Sequence, residues 1–362
     1  MTEEEVFNGL FEQFGGLAKA DDIPHLAQLR SRMYESIDIV RITYPKLPHI
    51  YINYVASNKV NARITKYEDK YYLGINMGAF FLMRDMFTRM LSHTNILPEI
   101  GNALNEAEVT DYLLASIEDG QLSFIVDLKA FSFPKDPVRK LVADYFTNLA
   151  FEFLLHHECC HVLRGHLSYV LENSDNSYLY ENNDKVNDSK LPSDILQALE
   201  MDADSFALNR MFNLFRSFHD GHILASEELK FLYKDYETIV GIITYITYCF
   251  FRLFGHNQPK SNEIMLYDHP PISIRMVMVV SNIVSILHPT PNDESKKLDA
   301  IITQKMMEAE RAFLTITPQY SMWNEDTYPE ELATQYMRML ERKWKEIRPD
   351  LWPLKYSDTL PE

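Results

Sequence analysis

The sequence has few cysteines, no long apolar run and a shortage of basic residues. Its three cysteines are Cys159, Cys160 and Cys249. Neighbouring cysteines on a helix point apart, so no disulfide framework is predicted, and a reducing compartment is expected. Lys and Arg number 35 against 52 Asp and Glu, which gives a formal net charge of −17. Because such a surface repels phosphate groups, we expect neither nucleic acid nor an anionic membrane as a partner.

The sequence also lacks an evident segment for export or for spanning a membrane. Residues 1–5 are acidic and contain no apolar signal core. The most apolar run, residues 239–251, is shorter than the ~20 residues needed to cross a bilayer, and Thr and Tyr interrupt it. We therefore expect a buried helix there, no membrane span, and a soluble cytoplasmic protein.

The residue pattern predicts an α+β fold that is predominantly helical. Runs of β-branched and aromatic residues at 50–55, 62–65 and 71–76 predict a small antiparallel sheet, with one more strand within 121–128. Residues 172–192, rich in Asn, Asp and Ser, predict a loop. Helical spacing predicts two helices within residues 1–40 and others at 79–91, 106–117, 141–167, 193–217, 225–254, 271–288, 295–315 and 329–346.

The length indicates more than one structural unit. A chain of 362 residues exceeds the roughly 250–300 residues at which a single core usually stops growing. We divide it into an N-terminal helical segment (1–49), a central domain (50–290) and a C-terminal helical extension (291–362).

A metal-binding pattern lies in the helix predicted at 141–167. In His157-Glu158-x-x-His161 the two imidazoles are one turn apart on the same side of the helix, which suits a zinc ion. Glu158 stands beside them, where it can accept a proton from the metal's water. The pair His156 and Cys160 has the same spacing but lacks both the glutamate and a matching partner downstream. The H-E-x-x-H pattern fixes only three positions and is common by chance. The assignment of a metal site therefore requires a third ligand from the rest of the chain.

A second, acidic helix offers that ligand. Glu200 can reach the metal if the two helices pack together, and Asp204, one turn along, can accept a hydrogen bond from a ligand histidine. Asp202 is an alternative third ligand, although it lies off the face that the other two share. An ordinary acidic helix face also explains this segment when it is taken alone. If the site exists, the tips of His157, His161 and Glu200 converge within about 4 Å of one another.

Two further histidines accompany these helices. His269 precedes a proline pair and can donate to an oxyanion or occupy an open position on the metal, and Arg275 can pair with Glu200. The alternative is a capped turn with a surface arginine. His166 is expected to make a structural hydrogen bond, because a fourth protein ligand would close the position that water needs.

Together these motifs resemble one family. The chain contains H-E-x-x-H-x-x-x-G-H from residue 157, E-x-x-x-D-x-x-A from residue 200 and H-P-x-x-x-x-R from residue 269. Earlier, V-N-A from residue 60 and L-G-I-N-M-G from residue 73 follow predicted strands. This order is similar to that of the gluzincin peptidases related to the type I CAAX prenyl protease and the heat-shock protease HtpX. The cytosolic context and acidic charge also resemble the Lit-type phage-exclusion peptidases.

The resemblance implies a zincin-like peptidase domain at 50–290, in which the small sheet packs beside the active helix. One Zn²⁺ would be held by His157, His161 and Glu200, and Glu158 would be the general base. The membrane relatives carry transmembrane helices around the site, which are not predicted here. Residues 80–135 exceed the family norm and form an insertion.

The same resemblance assigns supporting residues. Asp204 and Arg275 would support the ligands, and His269 would assist catalysis. Asn61 and Ala62 would line the cleft and pair with the substrate backbone.

The predicted function is a zinc-dependent endopeptidase that hydrolyses a cytosolic protein or peptide with metal-activated water. One alternative is a catalytically silent regulatory or binding protein on a peptidase scaffold, which the absence of bound zinc would favour. The other is a Lit-like defence protease that needs an activating protein, with 80–135 and 172–192 covering its cleft. Full zinc occupancy with no activity on generic peptides would favour that alternative.

Overall fold

The computed structural model describes residues 1–20, 23–109, 111–118, 121–125, 127, 132–174, 178–180, 190–254, 263–288, 290, 292–317 and 330–361. Helices dominate these ranges: α1 (Glu3–Phe11), α2 (Pro24–Thr43), α3 (Met77–Leu91), α4 (Pro137–Leu163), α5 (His166–Asn173), α6 (Ser193–His219), α7 (Tyr236–Phe254), α8 (Ile272–Leu287), α9 (Asp293–Ile316) and α10 (Glu330–Leu351). The strands are β1 (Ile50–Val55), β2 (Ala62–Tyr67), β3 (Lys70–Asn76), β4 (Ala115–Glu118), β5 (Gln121–Phe124) and β6 (Leu179–Tyr180). The predicted α+β class is confirmed.

The larger sheet has the strand order β1-β3-β2-β6 and is mixed, where the sequence predicted an antiparallel sheet. β2 and β3 form an antiparallel pair, with Ala62 opposite Ile75, and β6 adds antiparallel to β2. β1 pairs with β3 in parallel, with Ile50 opposite Tyr71. The parallel pair arises because β3 lies between β1 and β2, a non-local pairing that strand patterns do not reveal.

The N-terminal segment covers the outer edge of β1. The N–H of Ala18 donates to the Tyr54 carbonyl, and the N–H of Ala56 donates to the Gly16 carbonyl, each at 2.9 Å. The Tyr34 hydroxyl of α2 accepts from the N–H of Ile52 at 3.0 Å and donates to its carbonyl at 3.1 Å. The edge is therefore satisfied by the chain itself.

Helix α4 is the central element, packed against α3 and α6. It begins at Pro137, after Asp136, whose carboxylate accepts from the N–H groups of Val138 and Arg139 at 3.0 Å each. Buried Arg139 then fixes the preceding loop by donating to five carbonyls, those of Leu91, His93, Ile96, Leu97 and Ile100, at 2.7–3.0 Å.

Helix α4 ends at Leu163, four residues before the end that its pattern predicted. Gly165 has φ +79°, and a Cβ there would lie 2.8 Å from backbone and side-chain atoms of Leu354. Only glycine fits such a conformation without strain, and the left-handed residue stops the helix. His166 therefore starts a separate helix, α5.

The stretch 80–135 differs from its prediction in one respect. Residues 106–109 and 111–114 are not helical, and Ala115 to Glu118 pair antiparallel with Gln121 to Phe124. The strand expected within 121–128 is thus present as β5. The signal missed in the sequence is Asp119-Gly120, a dipeptide typical of two-residue hairpins.

The loop predicted at 172–192 is seen only in part. Its described residues include the end of α5 and the short strand β6, while residues 175–177 and 181–189 lie outside the described ranges. The division into 1–49, 50–290 and 291–362 stays a prediction.

Helix α7 contains the apolar run predicted at 239–251. Among the described residues it is the one helix that is long and apolar enough to cross a membrane, and 83% of its most apolar 18-residue window is buried inside the protein. It has 19 residues and begins at Tyr236, so it is shorter than the helix predicted at 225–254. A core helix passes the same test of length and composition.

Candidate metal centre

Helices α4 and α6 pack together so that three side chains meet. His157 and His161 come from α4 and Glu200 from α6, and all three are buried. The Nε2 atoms of the histidines are 3.1 Å apart. His157 Nε2 lies 3.1 Å from Glu200 Oε2, and His161 Nε2 lies 3.5 Å from Glu200 Oε1. Tetrahedral ligands 2.0–2.1 Å from zinc are about 3.3 Å apart, so the predicted convergence is present and fits the ion.

Asp204 fixes the orientation of the first histidine. His157 Nδ1 is 3.0 Å from Asp204 Oδ1, and a carboxylate accepts, so Nδ1 carries the proton. The lone pair of His157 Nε2 then faces Glu200 Oε2, a buried oxygen 3.1 Å away. Two acceptors that face each other repel unless a cation or proton lies between them. The arrangement therefore suits a divalent metal ion.

Arg275 holds Asp204 with two hydrogen bonds. Its Nε donates to Oδ2 at 2.8 Å and its Nη2 to Oδ1 at 2.7 Å. The sequence suggested Glu200 as the partner of Arg275, whereas these bonds run to the carboxylate one turn further along α6. The reason is the register of α8 against α6, which the sequence does not specify.

The charges of the site match what metal ligands require. Burial disfavours the charged form of the Glu200 carboxyl, but the facing imidazoles of His269 and His161 dominate and hold its pKa well below its usual range. Burial lowers the pKa of His161 well below its usual range, against the opposing pull of Glu200. An ionised carboxylate and a neutral imidazole are the forms that bind metal.

Glu158 and His269 are both buried, and His269 contacts one of the three ligands. Glu158 follows His157 on α4, and its side chain is buried. His269 Nε2 is 3.3 Å from Glu200 Oε2. The mutually close group that can hold a metal consists of His157, His161 and Glu200, so His269 contacts it from one side.

Sequence reasoning missed Gln197, which lies one turn before Glu200. Its Nε2 donates to the carbonyls of Ile264 and Tyr267 at 2.8 and 2.7 Å. Its Oε1 accepts from the Tyr336 hydroxyl at 2.5 Å. Gln197 thereby fixes the segment that leads to His269. The available signal was an amide on the buried face of α6.

The remaining candidates lie beside the site. Asn61 and Ala62 are buried, and the Asn61 carbonyl accepts from the Asn76 N–H at 3.0 Å. β6 pairs with the next two residues of β2. The role of Asn61 and Ala62 in binding substrate stays a prediction.

The offset pair on α4 is divided between two environments. His156 Nε2 is 3.3 Å from the Ser36 hydroxyl of α2, whereas Cys160 Sγ is 3.8 Å from Asp202 Oδ2. Asp202 also forms an ion pair with Arg164. His156 and Cys160 therefore do not share a ligand position, and Asp202 is engaged away from Glu200.

Comparison of the chain with models of protein families, with curated proteins and with solved structures finds no match. The geometry by itself gives a buried His-His-Glu group, carried by an H-E-x-x-H helix and a second helix, that can bind a metal ion of unspecified identity.

Proposed function

We propose that this protein is a zinc-dependent endopeptidase of the gluzincin type. The observation that carries the proposal is the convergence of His157, His161 and Glu200, with Glu158 next to the first ligand on the same helix. A purely structural zinc site has no use for a base beside its ligands. The order of the motifs, which resembles the CAAX prenyl protease and HtpX relatives, supports a peptide as the substrate.

The chemistry divides between the ion and the chain. When bound, zinc polarises the scissile carbonyl and lowers the pKa of its water towards ~7. Glu158 accepts the water proton and passes it to the leaving amine. His269 donates to the developing oxyanion, and Asp204 keeps His157 in the tautomer that binds metal.

Elemental analysis tests the metal site. The purified, metal-replete protein is expected to hold one zinc per chain, and Glu200→Ala should lose it because two histidines alone bind zinc weakly. Glu35→Ala, which removes an exposed carboxylate from α2, is the control and should retain the metal. Zinc-free wild-type protein would favour a binding protein on a peptidase scaffold.

Glu158→Gln tests the catalytic assignment. The variant is expected to keep zinc and to lose cleavage of casein and of a mixed peptide library by a factor of at least 10². Mass spectrometry of the products is the readout. Wild-type rates in this variant would rule out Glu158 as the base.

The burial of the site favours a second candidate, a protease that acts only after a partner opens it. His157, Glu158 and His161 are each 1% exposed, so a polypeptide cannot reach them in this conformation. β6 also occupies the edge of β2 beside Asn61 and Ala62, where the substrate backbone is proposed to pair. In this version the substrate is a cytosolic protein and the cue is an activating protein, as in Lit-type defence.

Leu179→Asp provides a test of this closed form. Leu179 is buried and pairs with Ile64, so a carboxylate there should dislodge β6 from β2. We expect the zinc-loaded variant to cleave casein faster than the zinc-loaded wild type. Equal activity of the two proteins on casein would show that β6 does not restrict the cleft.

A further inference from the structure

A second series of buried polar side chains leads to His161, the other ligand histidine. Because Gly165 ends α4, His166 at the start of α5 lies against the metal-site helix, with its Nδ1 3.2 Å from His161 Nδ1. His166 Nε2 is 3.2 Å from Asp202 Oδ2. Asp202 in turn forms an ion pair with Arg164. The four side chains thus form one connected series.

The positions of the protons in this series follow from Asp202 and Arg164, which lie at the end away from the metal site. The Arg164 guanidinium, which stays charged in proteins, forms an ion pair with the Asp202 carboxylate. An ionised Asp202 only accepts, so the proton of His166 lies on Nε2. His166 Nδ1 is then an acceptor, and the N–H that faces it belongs to His161 Nδ1. His161 Nε2 is left with a lone pair that points towards Glu200.

We infer that His166 and Asp202 are positioning residues that hold His161 in its Nδ1–H tautomer and so direct its Nε2 at the metal. The inference rests on the proposed metal site and deepens it. Under this inference, each of the two ligand histidines is oriented by an aspartate that an arginine holds in place. Asp204, held by Arg275, fixes His157 directly, and Asp202, held by Arg164, fixes His161 through one intervening imidazole. Such partners typically change metal affinity 10–100-fold.

Cys160, His166 and Asp202 also have the spacing of a metal-ligand set. A second ion there would compete with the Arg164 guanidinium, which is already bound to Asp202 and stacked over the Phe206 ring at 5.1 Å. The fixed guanidinium therefore favours a hydrogen-bonded relay, from Arg164 and Asp202 through His166 to His161, over a second metal site.

Two amide substitutions of His166 distinguish the relay from a role in packing alone. The Asn oxygen can replace Nδ1 as the acceptor for His161, whereas the longer Gln places its oxygen near the former Nε2. We expect His166→Asn to bind zinc within a few-fold of wild type, and His166→Gln and His166→Phe to bind it 10–100-fold more weakly. Competition with a chromophoric zinc chelator measures the affinity, and unfolding of the metal-free variants verifies that each is folded.

His156→Asn is the matched control, since it changes another buried histidine of α4 that faces Ser36. It should leave zinc affinity unchanged. Equal zinc affinities for the Asn and Gln variants at 166 would overturn the inference. So would two zinc ions per wild-type chain with one lost in both variants, which would assign Cys160, His166 and Asp202 to a second metal site.

A readout without metal keeps this inference separate from the proposed function. Nitrogen-15 spectra of the histidine rings in metal-free protein should show His161 as the Nδ1–H tautomer, and His166→Phe should mix the two tautomers. An Nε2–H signature for His161 in wild type would refute the relay. Failure of casein cleavage with the expected tautomer and zinc affinity would instead count against the peptidase activity alone.

Discussion

Several charged residues buried inside this protein form an ion pair with a residue of opposite charge. Arg89 with Asp85 and Arg252 with Glu310 are buried pairs outside the metal centre. Removing one partner of such a pair typically costs about 3–5 kcal/mol, because the other charge is left buried. Glu152 of α4 is different, since it lines a cavity of about 480 Å³ and faces Arg32 and Arg210 without a direct ion pair to either among the described contacts.

Burial raises the pKa of Glu152 from 4.5 to about 6, although Arg32 and Arg210 oppose the shift. The folded state therefore holds this proton more tightly than the unfolded state. Its contribution to stability is present below pH 4.5 and is lost as pH rises through about 6. A rise of the pKa from 4.5 to about 6 corresponds to at most about 2 kcal/mol of stability, because the side chain is partly exposed.

Glu152→Gln should remove that pH dependence. Relative to wild type, the free energy of unfolding of the variant should increase by up to about 2 kcal/mol between pH 4.5 and pH 7. Urea unfolding in the presence of a chelator measures the difference without a contribution from bound metal. Glu35→Gln, at the exposed wall of the same cavity, should show no such trend. A constant difference for Glu152→Gln would contradict the assignment.

At the scale of helices and strands, local residue patterns predicted the elements, but they did not predict where the chain reverses direction. The apolar steps along α4 predicted that helix, and the four-residue spacing of His157 and His161 predicted a shared face. Glu200 was identified because residues four apart, such as Glu200 and Asp204, lie on the same face of a helix. The end of α4 was missed because the approach of Leu354 to Gly165 is a tertiary contact. His166 was seen as structural, but its relay depends on that same chain reversal.

Gly165→Ala should therefore affect both the fold and the metal site. Gly221 is the matched control, because it has φ +76° but open space around its Cβ position, whereas Gly165 has φ +79° and Leu354 at 2.8 Å. Gly221→Ala should cost about 1 kcal/mol from backbone strain alone. Gly165→Ala should cost more and should weaken zinc binding by displacing His166.

Chemical unfolding and zinc competition check both variants. Equal losses of stability at the two positions would show that the contact with Leu354 can relax. Unchanged zinc affinity in a folded Gly165→Ala protein would show that α5 does not need this exact start to place His166.

At the scale of the whole molecule, the metal centre connects elements that are distant in the sequence. α4 and α6 each contribute ligands, and α8 and the segment before it supply Arg275 and His269. A metal that binds only the folded state stabilises all of these elements together, because the ligands do not converge in the unfolded chain.

Chelation should accordingly lower the unfolding temperature. With free zinc at 100 times Kd, the expected stabilisation is about 2.7 kcal/mol, and it disappears with EDTA. Glu158→Gln should keep this response and Glu200→Ala should lose it. Thermal unfolding with and without zinc gives the comparison. A Glu200→Ala protein that zinc stabilises as much as wild type would place the ion elsewhere.

The hydrogen bonds from Gly16 and Ala18 to the first strand have a consequence for the protein in solution. If the first eighteen residues were removed, the backbone groups of Tyr54 and Ala56 would lose their partners on that side, and a strand from a neighbouring molecule could replace them. The shortened protein should associate with itself at concentrations where the intact chain is monodisperse, and light scattering would detect the difference.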